Sequence, residues 1–317
     1  MTFSSAPPPT TVDGDGASTI SAVHPDVIQT QILNRLDGAT LASAACASSH
    51  LRGLCNDDTL WRNICTATWP SLHDPRVRHV VSGFPGGHRS LFSDSFPTLH
   101  HVDDHPDRSF PTASDHWISA VDLYYRDTPI FSKVIRTETR TGWFGSSPLW
   151  IDLLDPNELV PTPLVYARKD EDWMRQRHLE ENLSVSWILI DPTRNRAANL
   201  SSRKAVSAKR NWFSRDLELV YAVVIACEGR AAREWVQCNI KVTCCGEAGG
   251  EMHVREVSLM VEDTEGRNIC GEESMVILQR AIENGKRERV KEEEAKAREE
   301  KNTDTFNSQT VRYTGKR

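Results

Sequence analysis

The stretch His24-Pro-Asp-Val-Ile-Gln-Thr-Gln-Ile-Leu-Asn-Arg-Leu36 opens a short region that is patterned for helices. Pro25 suits the first turn of a helix, because a residue there needs no backbone N–H donor and proline's φ is already helical. The apolar residues that follow are spaced three or four positions apart: Ile28, Ile32, Leu33 and Leu36. This spacing predicts one apolar stripe along a helix.

Two more helices are expected before residue 66. Asp37-Gly38 ends the first helix, and the run Leu41–Ala47 supplies the inner face of a second. Asp57 or Asp58 can cap a third helix, whose apolar side carries Leu60, Trp61 and Ile64. Three helices within roughly forty residues bury little surface, so such a unit is marginally stable alone and tends to rest on a partner.

Residues 24–65 resemble the F-box, the helical module that docks substrate adaptors of cullin-type ubiquitin ligases onto a Skp-family linker protein. The residues that carry the resemblance are Pro25-Asp26, Ile28, Ile32, Leu33, Leu36, Leu41, Leu51-Arg52-x-Leu54 and Asp58-x-Leu60-Trp61-Arg62. The chain departs from the family pattern at His24, where the family usually has Leu, and at Leu51, where it usually has Trp or Phe.

The resemblance implies a non-catalytic adaptor that binds a Skp-family protein and, through it, a cullin complex. The residues expected at the Skp-family partner are Pro25, Ile28, Ile32, Leu33, Leu36, Leu41, Leu60 and Trp61. Aromatic and aliphatic side chains of this kind usually carry most of an interface's binding energy. The resemblance also implies a second partner, a target protein that the F-box residues do not specify.

Composition excludes several classes of protein. A length of 317 residues predicts two domains, or one large domain with tails, and a hydrophobic content of 38% suits a globular protein. The net charge of −6 argues against a general nucleic-acid binder. No stretch approaches about eighteen unbroken apolar residues, so no membrane association is expected. The first 21 residues lack the pattern of a secretory signal, and the eight cysteines form no C-x-x-C pair. Reduced thiols and a nuclear or cytoplasmic location are therefore expected.

The domain organisation is predicted from changes in composition and in the periodicity of apolar residues along the chain. We expect an α+β protein, in which a three-helix F-box-like module with extra helices precedes an antiparallel β-sandwich-like domain and a C-terminal charged helix. The predicted divisions are a disordered arm at 1–21, the F-box and its helical extension at 22–96, a linker at 97–116, the β-rich domain at 117–271, the C-terminal helix at 272–301 and a disordered tail at 302–317. The four histidines of the linker are interpreted as solvated rather than as metal ligands.

Alternating apolar and polar residues indicate strands throughout 117–271. In Glu234–Cys244 every second residue is apolar, whereas Glu251–Val261 changes phase between Val254 and Val257. Such a slip predicts a β-bulge. Many plant F-box proteins carry a β-sandwich similar to phloem lectins after the F-box, and Leu183–Trp187 followed by Leu219–Val224 resembles that arrangement. No sugar-contacting residue is carried over.

The candidate target-binding segment is the turn-rich Thr141–Pro148, with Trp143 and Phe144. The alternative is that both rings cap the hydrophobic core. Two basic pairs, Arg203-Lys204 and Lys209-Arg210, either bind an acidic partner or belong to an ordinary solvated loop.

No catalytic, cofactor or metal motif is recognisable, and Cys244-Cys245 is interpreted as a pair of small hydrophobic residues.

Two functions remain open. The first is a substrate-recognition adaptor of an SCF-type E3 ubiquitin ligase, with the target held by the β-rich domain. The second is a stand-alone, lectin-like ligand-binding β protein whose helical cap is structural.

Overall fold

The computed structural model describes residues 23–97, 99, 101–102, 114–165, 172–226, 235–247 and 249–286. The predicted arm at 1–21 and tail at 302–317 lie outside the described residues, as does the part of the predicted 272–301 helix beyond residue 286. Between the described ends, helices come first and antiparallel sheets follow, and a C-terminal helix comes next, with a two-residue strand after it. This order confirms the predicted fold class.

The N-terminal region begins with a helical segment of three kinds of turn. Its parts are α1 (Pro25–Val27), a π-helical turn (Ile28–Ile32) and a 3-10 turn (Leu33–Arg35). Regular helices then follow: α2 (Gly38–Ala47), α3 (Ser49–Cys55) and α4 (Asp58–Thr68). The sequence predicted α2 and α4 but not α3 as a helix of its own.

Short polar side chains start the regular helices of this region. Asp37 Oδ1 accepts a hydrogen bond from Thr40 N at 2.8 Å, and Ser48 Oγ accepts one from Leu51 N at 3.1 Å. Asp57 Oδ1 accepts from Thr59 N at 2.8 Å, so Asp57 rather than Asp58 caps α4. Each cap supplies an acceptor to a backbone N–H that the helix itself leaves without one.

The chain forms two compact units, and the division falls within α4, between Leu60 and Trp61. The second unit contains the rest of α4, a 3-10 turn (Pro70–His73), α5 (Pro75–Val81) and α6 (Gly87–Ser95). Aromatic rings hold these helices together: Phe92 lies 5.4 Å from Trp61 and 5.6 Å from Trp69, centroid to centroid.

The remaining elements of the second unit are mostly strands. In chain order they are β1 (His101–Val102), β2 (His116–Tyr125), β3 (Thr128–Glu138), α7 (Gly142–Ser146), β4 (Trp150–Asp152), β5 (Val160–Val165), α8 (Asp172–Asn182), β6 (Leu183–Asp191), β7 (Arg196–Asn199), β8 (Ser207–Arg210), β9 (Leu217–Ala226), β10 (Trp235–Gly246), β11 (Glu251–Asp263), α9 (Gly271–Asn284) and β12 (Gly285–Lys286).

Two antiparallel sheets dominate this unit. The four-stranded sheet has the order β3-β2-β6-β7, and the six-stranded sheet has the order β4-β11-β10-β9-β8 with β5 also paired to β11. A single hydrophobic core takes residues from both sheets and from α9. Tyr221 of β9 donates a hydrogen bond to the Leu183 carbonyl of β6 at 2.9 Å, which joins the sheets through the core.

The strand patterns agree with the sequence where alternation is strict. In β10 the alternate residues Val236, Cys238, Ile240 and Val242 are fully buried in the core. The pairing of β10 with β11 shifts register between Thr243 and Cys244, whose partners are Glu256 and Val254. Arg255 is the extra residue of this bulge, so Val254 and Val257 both face the core, as the phase slip predicted.

Candidate functional site

The structure divides the eight residues expected at a Skp-family partner into two groups. Pro25 and Ile32 are exposed, Ile32 to 41%, and Leu36 is half-buried. The other five are buried: Ile28, Leu33, Leu41, Leu60 and Trp61. Only the first group presents apolar atoms at the surface, whereas the second group holds the helices in place.

A π-helical turn is the reason for this division. The backbone N–H of Leu33 donates to the carbonyls of both Gln29 and Ile28, and the bond to Ile28 spans five residues, as in a π-turn. Ile28 and Leu33 therefore share the buried side, and Ile32 is turned outward. The regular four-residue stripe expected from the sequence is interrupted at this point.

The outward side of this segment forms an apolar patch. We define the apolar patch as Val23, Pro25, Val27 and Ile32, all of which are exposed. Val23 and Val27 were missing from the set of partner-binding residues predicted from the sequence. Val27 lies four residues after Val23, and Ile32 lies five residues after Val27.

Two polar contacts fix the segment that carries the apolar patch. The ring nitrogen Nδ1 of His24 accepts a hydrogen bond from Asp26 N at 3.3 Å, so the residue that departs from the family's Leu caps α1. Gln29 Nε2 donates to Asp57 Oδ2 at 3.0 Å. Asp57 thus both caps α4 and ties its start to the segment before it, which orients the apolar patch.

The predicted target-binding pair, Trp143 and Phe144, is also divided. Both lie on the short helix α7, which begins where Thr141 Oγ1 accepts a hydrogen bond from Phe144 N at 3.1 Å. Phe144 is buried, and its ring stands edge-on to Trp117 at 6.1 Å. Trp143 is 79% exposed. The ring of Trp143 is therefore accessible at the surface, whereas the ring of Phe144 is part of the hydrophobic core.

The buried thiols of the β-rich region are poor nucleophiles. Cys238 and Cys244 lie in the core, and burial raises the pKa of each thiol to about 12. Cys245, on the opposite side of the same strand, is half-buried, and burial raises its pKa as well. A thiol with a raised pKa is protonated at neutral pH and does not attack an electrophile.

The described part of the chain contains neither a metal-binding cluster nor a membrane-spanning helix. Within those residues no group of three or more His, Cys, Asp or Glu side chains is arranged to hold a metal ion. Among the described helices, none is long and apolar enough to cross a membrane. The apolar patch and Trp143 are thus the features that sequence reasoning and structure together bring forward.

Comparison with known proteins identifies the first of these regions. A family model described as F-box-like matches residues 25–67. F-box protein At2g27310 of Arabidopsis thaliana is 47% identical over 91% of this chain and 86% of its own length. The probable F-box protein At2g36090, of the same plant, is 48% identical over 90% of this chain and 80% of its own length.

A third relative, F-box protein At3g44326 of Arabidopsis thaliana, is 44% identical over 84% of this chain and 75% of its own length. No solved structure matches the chain. The likeness to these three relatives extends far beyond residues 25–67 and so includes the β-rich region. On the strength of this match and these relatives, the chain belongs to the plant F-box protein family.

Proposed function

We propose that this F-box protein is a substrate-recognition adaptor of an SCF-type E3 ubiquitin ligase. Its F-box binds a Skp-family linker protein and thereby a cullin complex, and its β-rich domain holds the target. The chain carries out no catalysis itself, since ubiquitin transfer is performed by other subunits. The observation that carries the proposal is the exposure of Pro25, Val27 and Ile32 of the apolar patch within residues 25–67, the region that matches the F-box-like family model.

Exposed aliphatic side chains in such a cluster favour a protein partner. Val23, Val27 and Ile32 are each exposed by 39–47%, and removing apolar surface from water contributes about 25 cal/mol per Å². Four exposed apolar residues within ten positions of one short segment supply the aliphatic anchors that a protein interface uses. In this proposal Pro25, Val27, Ile32 and Leu36 contact the Skp-family protein directly.

The buried residues of the predicted set support that contact without making it. Ile28, Leu33 and Leu41 are shielded from solvent, so a partner can reach them only if the helices unfold. Their substitution would therefore reduce binding and folding together. A test of the interface must use exposed positions, where folding and binding can be separated.

Binding of a purified Skp-family protein to the full-length chain tests the proposal. We expect Ile32→Asp together with Val27→Asp to weaken binding by at least about tenfold, because two charges would be buried without partners at the interface. The matched control is Gln31→Asp, which adds a charge at an exposed polar position of the same segment. We expect the control to bind within about twofold of the parent chain.

Folding of each variant is checked by its thermal unfolding midpoint, which should stay close to that of the parent chain. No binding by the intact chain, or equal binding by the double variant, would refute the proposal. The target side is tested by affinity capture with the proteasome blocked, comparing the parent chain with Trp143→Ser. Loss of captured proteins with the Skp-family protein retained would assign Trp143 to the target site.

A further inference from the structure

Two adjacent aromatic rings stand in solvent at the turn between β8 and β9. Trp212 is 86% exposed and Phe213 is 82% exposed. Their rings contact each other edge-to-face, with centroids 5.8 Å apart. We call this pair the aromatic tip. Large aromatic rings bury far more apolar area on contact with a partner than other side chains do, and they dominate interface energetics.

The turn that carries the aromatic tip is held by its own backbone. Asn211 N donates to the Asp216 carbonyl at 2.8 Å, and Arg215 N donates to the Asn211 carbonyl at 2.9 Å. The Asn211 side-chain oxygen accepts hydrogen bonds from Phe213 N at 3.0 Å and Ser214 N at 3.1 Å. One side chain thereby holds the backbone N–H groups of Phe213 and of Ser214, the residue after it.

Further contacts fasten the base of the turn to the sheet. The Asn211 amide nitrogen donates to Glu218 Oε1 at 3.2 Å, and Arg210 Nη1 donates to the Arg215 carbonyl at 2.6 Å. Asp216 forms an ion pair with Arg255, the bulged residue of β11, at 2.5 Å. Arg215 adopts a left-handed conformation with φ of 67°, which a non-glycine residue keeps only when its surroundings enforce it.

This bracing lowers the cost of using the aromatic tip for binding. A loop that is ordered before contact loses little conformational entropy on binding, and Trp and Phe have few rotatable bonds to restrict. The turn that carries the rings is held by backbone and side-chain hydrogen bonds before any partner binds. Nothing in the packing of the core requires them to be apolar, because they are almost wholly in solvent.

The charge around the aromatic tip indicates the kind of partner. Residues 203–215 contain five Lys or Arg and no Asp or Glu, within a chain whose net charge is −6. Lys209 and Arg215 are exposed and lie within three residues of the ring-bearing pair in the sequence. A locally positive surface of this kind attracts negative groups, and such complementarity governs which partner associates and how fast.

We propose that the aromatic tip is a target-docking site of the adaptor, additional to the candidate residue Trp143, and that it recognises an acidic protein segment containing apolar side chains. The rings of Trp212 and Phe213 contact the apolar side chains, while Lys209 and Arg215 lie close to the Asp or Glu residues of the segment. This inference rests on the proposed adaptor function, because it names the chemistry of the target that the adaptor would hold.

A protein segment suits the surface better than an anionic membrane does. Membrane-surface binding typically uses an amphipathic helix or a lipid anchor, whereas the tip is one short turn, and a short acidic segment needs to meet only the positive region around it. Vesicles that contain phosphatidylserine therefore form a separate arm of the test. Binding to such vesicles that is lost on substitution of the tip would overturn the proposal.

The probe is a library of random peptides displayed on phage and selected on the full-length chain. We expect the selected peptides to be enriched in Asp and Glu together with aromatic or aliphatic residues. For a selected peptide made synthetically, the combined substitutions Trp212→Ser and Phe213→Ser should weaken binding by at least about tenfold. Lys209→Glu should weaken it by a smaller factor and flatten its dependence on salt concentration.

The matched control is Leu159→Ser, which removes an exposed apolar side chain (53% exposed) from another part of the same unit and should leave peptide affinity within about twofold. Selected peptides without acidic bias, an empty selection, or affinities unchanged by the double substitution would each overturn the inference. Binding of the Skp-family protein is measured on the same variants. If the parent chain does not bind the Skp-family protein, the adaptor function is refuted. If it binds the Skp-family protein but the peptide selection fails, only the role of the aromatic tip is refuted.

Discussion

The Asp122 carboxylate accepts two hydrogen bonds from Ser71, one from the backbone N–H at 2.8 Å and one from the hydroxyl at 2.6 Å. Ser71 lies in the 3-10 turn that follows α4, and Asp122 lies in the middle of β2. Tyr124 adds a hydrogen bond from its hydroxyl to the Thr68 carbonyl at 2.5 Å. The helices after the division and the four-stranded sheet are therefore joined through buried polar contacts.

Asp122 should make stability depend on pH. Burial raises the pKa of this carboxyl above its ordinary value of 3.8, against the opposing effect of hydrogen bonds from Ser132 and Ser71. A raised pKa means that the folded state binds the proton more tightly, so this stabilisation is fully present below pH 3.8 and is lost as the pH rises through the folded-state value.

As the pH rises from 3.8, we expect the free energy of unfolding of the parent chain to fall relative to that of Asp122→Asn, whose side chain does not titrate. Asp122→Ala should destabilise by about 2 to 3 kcal/mol at neutral pH, because the buried N–H and hydroxyl of Ser71 lose their acceptor. Urea denaturation across the pH range measures both effects. The raised pKa of Asp122 would be contradicted if the free energy of unfolding of the parent chain, relative to the Asn variant, stayed constant or increased as the pH rose.

A second prediction compares a shielded with an exposed ion pair. Asp94 of α6 accepts from Arg196 Nε at 2.8 Å, from Arg196 Nη2 at 3.1 Å and from Ala197 N at 3.0 Å. Asp94→Ala should destabilise the fold by about 2 to 3 kcal/mol, because a paired cation and a buried N–H lose their acceptor together.

The control for Asp94 is the pair formed by Arg136 and Glu138, which has the same 2.8 Å separation but whose two side chains are more than half exposed. Glu138→Ala should cost less than about 1 kcal/mol, since exposed ion pairs are screened by water. Chemical denaturation of both variants gives the comparison. Equal losses would show that burial does not determine the strength of these pairs.

The sequence predicted those parts of the fold in which a local pattern is enforced by burial. The alternation of β10 places Val236 and Val242 in the core, and the phase slip in β11 locates the bulge at Arg255. Both follow because adjacent strand residues face opposite sides of a sheet. Contacts between distant residues, such as Asp122 with Ser71, leave no comparable local pattern.

The candidate sites were harder to predict for the same reason. The spacing of Ile28 and Ile32 indicates one face of an α-helix, and only the π-turn separates them. Trp143 and Phe144 look equivalent in sequence, but α7 turns one ring outward and the other into the core. The turn that carries Trp212 and Phe213 is held by hydrogen bonds from Phe213 N and Ser214 N to the Asn211 side chain, which composition does not reveal.

A third prediction concerns the contact between α7 and α9. Gly271, the first residue of α9, donates its N–H to the Ser147 carbonyl at 2.9 Å, and a Cβ atom there would collide with the Phe144 carbonyl and lie 2.9 Å from its ring. Gly271→Ala should destabilise by about 2 kcal/mol or more, because backbone rather than a flexible side chain must move.

The matched substitution is Gly145→Ala in α7. A Cβ atom at that position meets only Glu272 Cβ, at 3.8 Å, so alanine should be neutral or stabilising by up to about 1 kcal/mol, in line with its higher helix propensity. Denaturant titration distinguishes the two variants. Similar effects from both would mean that the close approach of Phe144 to Gly271 is not a constraint on the fold.

The cysteines should separate into reactive and protected thiols. Cys46 is exposed, whereas Cys238 and Cys244 are buried with pKa values raised to about 12. At about pH 8 only roughly one buried thiol in ten thousand would be the reactive thiolate, even before access is considered. Iodoacetamide should therefore label Cys46 in the native protein and leave Cys238 and Cys244 unmodified, as read by mass spectrometry of the peptides. Labelling in guanidinium chloride should reach all three and provides the control. Native labelling of Cys238 or Cys244 as fast as Cys46 would require the strand pair β10–β11 to open far more readily than its fully buried inner face allows.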